Sequence, residues 1–311
     1  MGGAARLVSR FSHFAMSTTF ELIIGGKERS YAEQTAQAVF EEIDRIERLF
    51  NFFDPGSELS LINRLGPGQS LRIGAEIYEC LSQAEEIRAE TNGAFDINVR
   101  SLIKYKSETD SEKRKTADFP LELKRSSLGF EVSYPYKVEI ENSPGLSIDL
   151  GGIGKGYALD RAAEILDDWG VDQALVQGGT SSVLVRGSAP DRFDEFEVDP
   201  GWPVGVGGAW QLPDAPRKVM LKDESLSGSG KEVKGEHIID PESGYPADGH
   251  EASWVSCPNA AAADALSTAF VVLDSEGVRE YCEKHPEVWA FVISGDRNYK
   301  IFNQERIKIL E

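Results

Sequence analysis

Basic residues are scarce: 33 Lys and Arg stand against 52 Asp and Glu, a net charge of −19 over 311 residues. A surface of that sign repels phosphate backbones and anionic lipid, which excludes a general nucleic-acid binder and a protein that docks on acidic membranes. Cysteine is scarcer still. Cys80, Cys257 and Cys282 are odd in number and far apart, so neither a disulfide framework nor a cysteine metal site is expected, and core thiols are the reading that remains. No apolar run within Met1–Phe20 is long enough for a signal peptide or a membrane anchor. The expectation is a cytoplasmic chain without a membrane anchor, unless an export signal has been trimmed away. What the chain does have is apolar content, 41% over this length, which suffices for two lobes or one large domain.

The stretch that organises the rest is Ser147-Ile-Asp-Leu-Gly-Gly-Ile-Gly-Lys-Gly-Tyr-Ala-Leu-Asp160. The alternation Leu146, Ile148, Leu150 predicts a short strand that runs into Gly151, Gly152, Gly154 and Gly156. A helix follows, because Ala158, Ala162, Ile165, Leu166 and Trp169 recur three or four apart, and Gly170 is placed to end it. A glycine-rich bend between strand and helix leaves backbone N–H groups free and admits close approach, which suits a phosphate. It is not a P-loop, since Asp149 and Gly156 stand where Gly and Ser or Thr are needed, and it matches no register of the dinucleotide fingerprint. A tight turn with a solvated Lys155 is the alternative.

Along the chain, Phe14–Ile24 reads as a first strand closed by Gly25-Gly26, with Met16 within it, and Tyr31–Phe50 as an amphipathic helix. Asp54-Pro55-Gly56 is a turn, Ser57 can cap a short helix, and Phe53 at the turn can stack on a flat ring. A helix over Gly74–Thr91 ends near Asn92-Gly93, after which Ala94, Phe95 and Asp96 offer a ring and a carboxylate. Lys104–Lys115 is a charged stretch without period and reads as a solvated loop, and a hairpin is expected within Ser126–Pro144. Strands are expected at Gln173–Gln177 and Val183–Val185, strands joined by long turns over Asp191–Pro216, and a flexible bend at Ser225–Gly230. His237–Pro246 reads as a short strand closed by a turn.

Asn259–Leu273 is an alanine-rich helix with strong intrinsic propensity. Asp264 and Thr268 are four apart and share a face. A carboxylate inside an apolar run invites a cation or a tight hydrogen bond, the alternative being a Thr bonded to its own turn beside a solvated Asp. A helix over Ser275–His285 and strands Val288–Ile293 and Tyr299–Phe302 follow.

Together these segments resemble the FAD:protein FMN transferases of the ApbE family. Asp149 to Asp160 is similar to that family's Asp-Leu-x-x-x-x-Lys-Gly-x-x-x-Asp, His237-Ile-Ile-Asp-Pro-Glu-Ser-Gly244 to its His-x-Ile-x-Asp-Pro-x-Thr-Gly, and Ala263 to Thr268 to its Ala-Asp-Ala-Leu-Ser-Thr. Met16-Ser-Thr18, Ser57–Asn63 and Gly93–Asp96 are weaker matches, and all six fall in the family's order. The resemblance implies residues 1–311 as a single unit of α+β class, two packed lobes of mixed or antiparallel sheet with helices and a flavin cleft between them. It implies FMN transfer from FAD to a Ser or Thr hydroxyl of an acceptor redox flavoprotein, releasing AMP, with Mg²⁺ held by Asp264, Thr268 and the carbonyl of Gly152. Flavin contacts are implied at Met16, Phe53, Ala94, Phe95, Asp96, Asp149, Lys155 and Ile238. Lys155 suits charge neutralisation at the phosphates, and His237 is the side chain suited to take the acceptor proton, with Asp240 either orienting it or holding the turn. Ser243, Gly179-Thr180 and Gly228-Ser-Gly230 depart from the family pattern. Two other readings stay open: Mg²⁺-dependent hydrolysis of FAD to FMN and AMP, and a protein that binds flavin without cleaving it.

Overall fold

The computed structural model describes residues 7–100, 130–133, 137–140, 147–190, 201–208, 210, 212–232 and 235–310. In chain order the strands are β1 (Val8–Ala15), β2 (Thr18–Gly25), β3 (Ser70–Arg72), β4 (Phe130–Ser133), β5 (Lys137–Ile140), β6 (Ala174–Gly178) and β7 (Ser182–Arg186). They continue as β8 (Trp202–Gly205), β9 (Lys218–Leu221), β10 (Ser225–Gly230), β11 (Ala252–Cys257), β12 (Trp289–Ile293), β13 (Tyr299–Phe302) and β14 (Lys308–Leu310). The helices are α1 (Arg29–Phe50), α2 (Glu58–Ile62), α3 (Ala75–Glu90), α4 (Gly154–Asp168), α5 (Ala260–Val272) and α6 (Ser275–Lys284). None among the described residues is long and apolar enough to cross a membrane.

Eight strands form one sheet in the order β1-β2-β6-β7-β10-β11-β12-β13, antiparallel at every junction. Two three-stranded sheets, β14-β9-β8 and β3-β5-β4, flank it. The period-2 alternation of β2 shows how the large sheet feeds two cores. Phe20, Leu22 and Ile24 face the helices, where they pack with Val39, Ile43 and Ile46 of α1, Leu159 and Leu166 of α4 and the alanines of α5. Ile23 faces the other way, toward Val185, Phe291 and Ile293 and the small sheet's Trp202, Val219 and Leu221. The α+β expectation therefore holds, with helices and antiparallel sheets in two cores that share one sheet. All three cysteines are free and buried, and burial pushes the Cys257 and Cys282 thiols up to about 12.

Several local expectations are corrected. Phe14–Ile24 is not one strand but parts of β1 and β2, which are joined at Met16 and Ser17, both with positive φ (49° and 59°). A two-residue turn of that handedness matches the twist of the strands it joins. Residues 147–150 join no ladder. Asn98 Oδ1 accepts from Ser147 N, Asn63 Oδ1 accepts from Ile148 N while its Nδ2 donates to Ile148 O, and Asp149 N donates to Ile97 O. Two asparagine amides and one backbone carbonyl thus replace a neighbouring strand. Ser225–Gly230 is no flexible bend but β10, an interior strand, where the Trp254 indole lies where a Gly228 side chain would be. His237–Pro246 is a turn closed by a single bridge, Ile239 to Pro246. The expected loop at Lys104–Lys115 and the stretch 191–200 lie outside the described residues.

A close backbone contact joins α4 to α5. A Cβ on Gly156 would lie 2.1 Å from the Ala260 carbonyl oxygen and 2.7 Å from Ala261 Cα. These are backbone atoms, which cannot rotate aside as a side chain can. Gly156→Ala is therefore expected to cost about 1–3 kcal/mol as overpacking, read as a lower urea midpoint; a variant as stable as the wild type would show that the helices can separate freely.

Candidate active site

Helix α5 is buried nearly all round: Ala260, Ala261, Ala263, Ala265, Leu266, Ala269 and Phe270 are all inside. Small side chains let its backbone sit close to both β10 and α4. Its first N–H groups have no partner within the helix, and three of them are met by side chains. Asn259 Oδ1 accepts from Ala262 N at 2.7 Å. Asp160, reaching across from α4, accepts from Ala260 N and Ala261 N, each at 2.8 Å. Burial nonetheless pushes the Asp160 carboxyl up to about 6.

One turn further along, Asp264 is 3% exposed. A buried carboxylate is tolerable only where its charge and lone pairs are met, and here they are met from three directions. Lys155 Nζ lies 3.1 Å from both oxygens, Gly156 N donates to Oδ2 at 3.2 Å, and the Ser182 hydroxyl donates to Oδ1 at 3.0 Å. The sequence's pairing of Asp264 with Thr268 is also visible: the Thr268 hydroxyl bonds its own turn at Asp264 O (3.4 Å) and lies 3.2 Å from Ser229 Oγ. Ser229 Oγ is in turn 2.8 Å from Ser267 Oγ.

The bend meets this helix face. A Cβ on Gly152 would come 3.6 Å from Thr268 Oγ1 and 3.2 Å from the Phe95 ring, so Gly152, Thr268 and Phe95 are neighbours. The bend does not keep its N–H groups free, however. Gly151 N donates to Asp149 Oδ1, Ile153 N and Gly154 N to Leu150 O, and Gly156 N to Asp264. A phosphate here would depend on Lys155 and a cation rather than on these four amides. Among the described residues no three His, Cys, Asp or Glu side chains cluster as a metal site. What the helix face offers beside the bend is a carboxylate, a hydroxyl and the backbone of Gly152, donors of the oxygen type that a hard cation takes.

At the start of the bend Asp149 is ion-paired with Arg100. The guanidinium stands 4.5 Å over the Phe52 ring and 5.8 Å from that of Phe53, which is 79% exposed. Ala94, Phe95 and Asp96 are buried, with Asp96 Oδ1 accepting from Asn98 N. Met16 is half-buried at the β1–β2 turn. That hairpin meets the β6–β7 turn, where Gly179 N donates to Thr19 O.

His237 stands apart from this network. It is exposed, and its Nδ1 lies 3.0 Å from Gly235 O. Ile238 beside it is buried with Ala247 and Val271, which docks the loop on α5 two turns beyond Asp264, about 10 Å along the axis. Of the two readings of Asp240, the geometry supports the turn: its oxygens accept from Glu242 N and Ser243 N.

Ser182, Ser229, Arg100 and the capping role of Asp160 were not found from sequence. Each acts across 39 to 100 positions of chain, Arg100 across the 49 that separate it from Asp149. The only available signal was Asp160 closing the glycine-bend motif.

The fold matches solved structures along nearly the whole chain. The apo form of Pseudomonas stutzeri flavinyl transferase ApbE superposes with a TM-score of 0.79 at 19% identity, covering 97% of both chains. The ApbE protein of Thermotoga maritima does so with 0.77 at 25% identity, covering 96% of this chain and 98% of that one. Among curated proteins, one from Treponema pallidum named FAD:protein FMN transferase is 25% identical over 94% of this chain and 88% of its own length. One of the same name from Chlamydia pneumoniae is 26% identical over 87% of each. The pattern of the ApbE family matches residues 16–292, and the chain belongs to that family.

Because the folded Asp160 carboxyl sits at about 6, above its ordinary 3.8, the folded protein binds this proton more tightly than the unfolded chain between those values. Its contribution to stability is complete below 3.8 and lost as pH rises through about 6. Asp160→Asn removes the titration, so in thermal unfolding the wild type should gain on the variant as pH falls from about 7 to about 4.5. A difference that stays constant with pH would contradict this.

Proposed function

We propose that the protein is a transferase that moves FMN from FAD onto a Ser or Thr hydroxyl of an acceptor redox protein, releasing AMP, with Mg²⁺ held at Asp264, Thr268 and Gly152. The observation that carries this reading is the convergence of Lys155, Gly152, Asp264 and Thr268 from two distant segments, in a family whose curated members bear the name FAD:protein FMN transferase.

The residue chemistry follows from what the reaction must move. The acceptor oxygen attacks the FMN phosphorus, the phosphorus–oxygen bond to AMP breaks, and AMP leaves with the electron pair. Negative charge therefore grows on the leaving phosphate. The Lys155 ammonium has three donors; two face Asp264, and the third is available to that phosphate. Mg²⁺, when bound, withdraws charge from the phosphate oxygens as a Lewis acid. Ser182 and Gly156 N fix the Asp264 carboxylate from behind, which holds its oxygens in place for the ion.

The attacking hydroxyl must lose a proton, and His237 takes it. A carbonyl only accepts, so the contact with Gly235 O puts the proton on Nδ1 and leaves Nε2 with the lone pair. Exposure suits this role, because the acceptor is a second protein that arrives from solvent.

Incubation with FAD, Mg²⁺ and a redox acceptor bearing Ser or Thr is expected to leave FMN covalently attached, detected by intact mass, with AMP as co-product. Asp264→Ala should abolish Mg²⁺-dependent turnover, and His237→Ala should slow transfer about 10²–10⁴-fold. Free FMN and AMP beside an unmodified acceptor would replace this reading with hydrolysis; FAD bound but intact would replace it with flavin binding alone.

A further inference from the structure

Among the described residues, Arg100 is the cation paired with Asp149 at the opening of the bend. Its Nε donates to Asp149, and the two terminal NH₂ groups carry the remaining N–H donors of the planar fork. One face of the guanidinium lies on Phe52 at 4.5 Å. Beside it Phe53 is held out in solvent by a pinned turn: Phe53 N donates to Asn51 Oδ1, Gly56 N to Asp54 Oδ1, and the Ser60 hydroxyl to Phe52 O. An exposed ring on a rigid loop, next to a stacked and oriented guanidinium, is a platform prepared for something flat.

We propose that Arg100 is a specificity-determining contact for the isoalloxazine end of the ligand, its terminal N–H groups donating to ring carbonyl oxygens while the ring lies against Phe53. This rests on the flavin reading above. A neutral carbonyl edge fits better here than a phosphate. Asp149 already balances the guanidinium charge and would repel an anion at its side, and aromatic rings flank the position. The phosphates have Lys155 at the other end of the bend. A ligand spanning the two cations would thus be read at one end by planar donors and at the other by charge.

The test is equilibrium binding of FAD, FMN and ADP to the wild type, Arg100→Gln and Arg100→Lys, with thermal unfolding of each variant to confirm that it is folded. Loss of a charge-assisted hydrogen bond should weaken FAD and FMN by about tenfold or more in Arg100→Gln, with ADP unchanged. Arg100→Lys should recover little of this, since a point charge does not reproduce the planar donor edge. Equal weakening of all three ligands would make Arg100 a phosphate contact and overturn the proposal. Full recovery by lysine, or unchanged FAD binding in folded Arg100→Gln, would overturn it also. If the wild type itself binds neither FAD nor FMN, the flavin reading fails, an outcome distinct from variants that bind as the wild type does.

Discussion

A single missing methyl group lets α4 and α5 touch backbone to backbone, and the rest of the site depends on that contact. With the helices this close, Gly156 N reaches Asp264 and Lys155 brings its ammonium against both oxygens of the same carboxylate. Asp160 closes the contact one turn further along α4 by accepting from the first two N–H groups of α5. The two helices are therefore joined by charge-assisted bonds in opposite senses: a carboxylate of α4 on the start of α5, and a lysine and amide at the start of α4 on a carboxylate of α5. Such bonds are stronger than neutral ones and poorly screened where water is excluded. They fix the distance between the glycine bend and the Asp264–Thr268 face, which is the distance any bound ion would have to span.

A protein with a net charge of −19 gains no help from its overall field in holding a polyanion. Recognition has to be local, and the cations are placed accordingly. Lys155 and Arg100 stand at opposite ends of the bend, each held by a carboxylate of its own, Asp264 and Asp149. Pairing keeps each cation in position and limits its attraction for stray anions. The bend's own N–H groups are largely spent on the fold, so the bend serves as a rigid spacer between the two pairs more than as a phosphate cradle.

Much of this was legible in the sequence where the signal is periodic. Helices α1, α3 and α4 follow from apolar spacing and α5 from its alanine content, and Asp264 was conspicuous as a charge in an alanine run. The resemblance to the ApbE family likewise stood on ordered motifs. What was not legible has physical reasons. Met16 and Ser17 adopt a left-handed turn without the Gly or Asn that usually marks one. β10 carries the composition of a loop because small residues are needed where Trp254 and α5 press on the strand. Residues 147–150 alternate like a strand, yet their partners are asparagine side chains far away in sequence. Ser182, Ser229 and Arg100 are ordinary residues made significant by what the fold sets beside them.

The account's central claim is that oxygens of Asp264, Thr268 and Gly152, brought together by the α4–α5 contact, form one divalent-cation site next to Lys155. Anomalous diffraction from crystals grown with Mn²⁺ and ADP tests it most directly. The account predicts a single strong peak bounded by those three residues, with the diphosphate completing its coordination. Bound ADP with no ion there, or an ion held elsewhere on the chain, would contradict it.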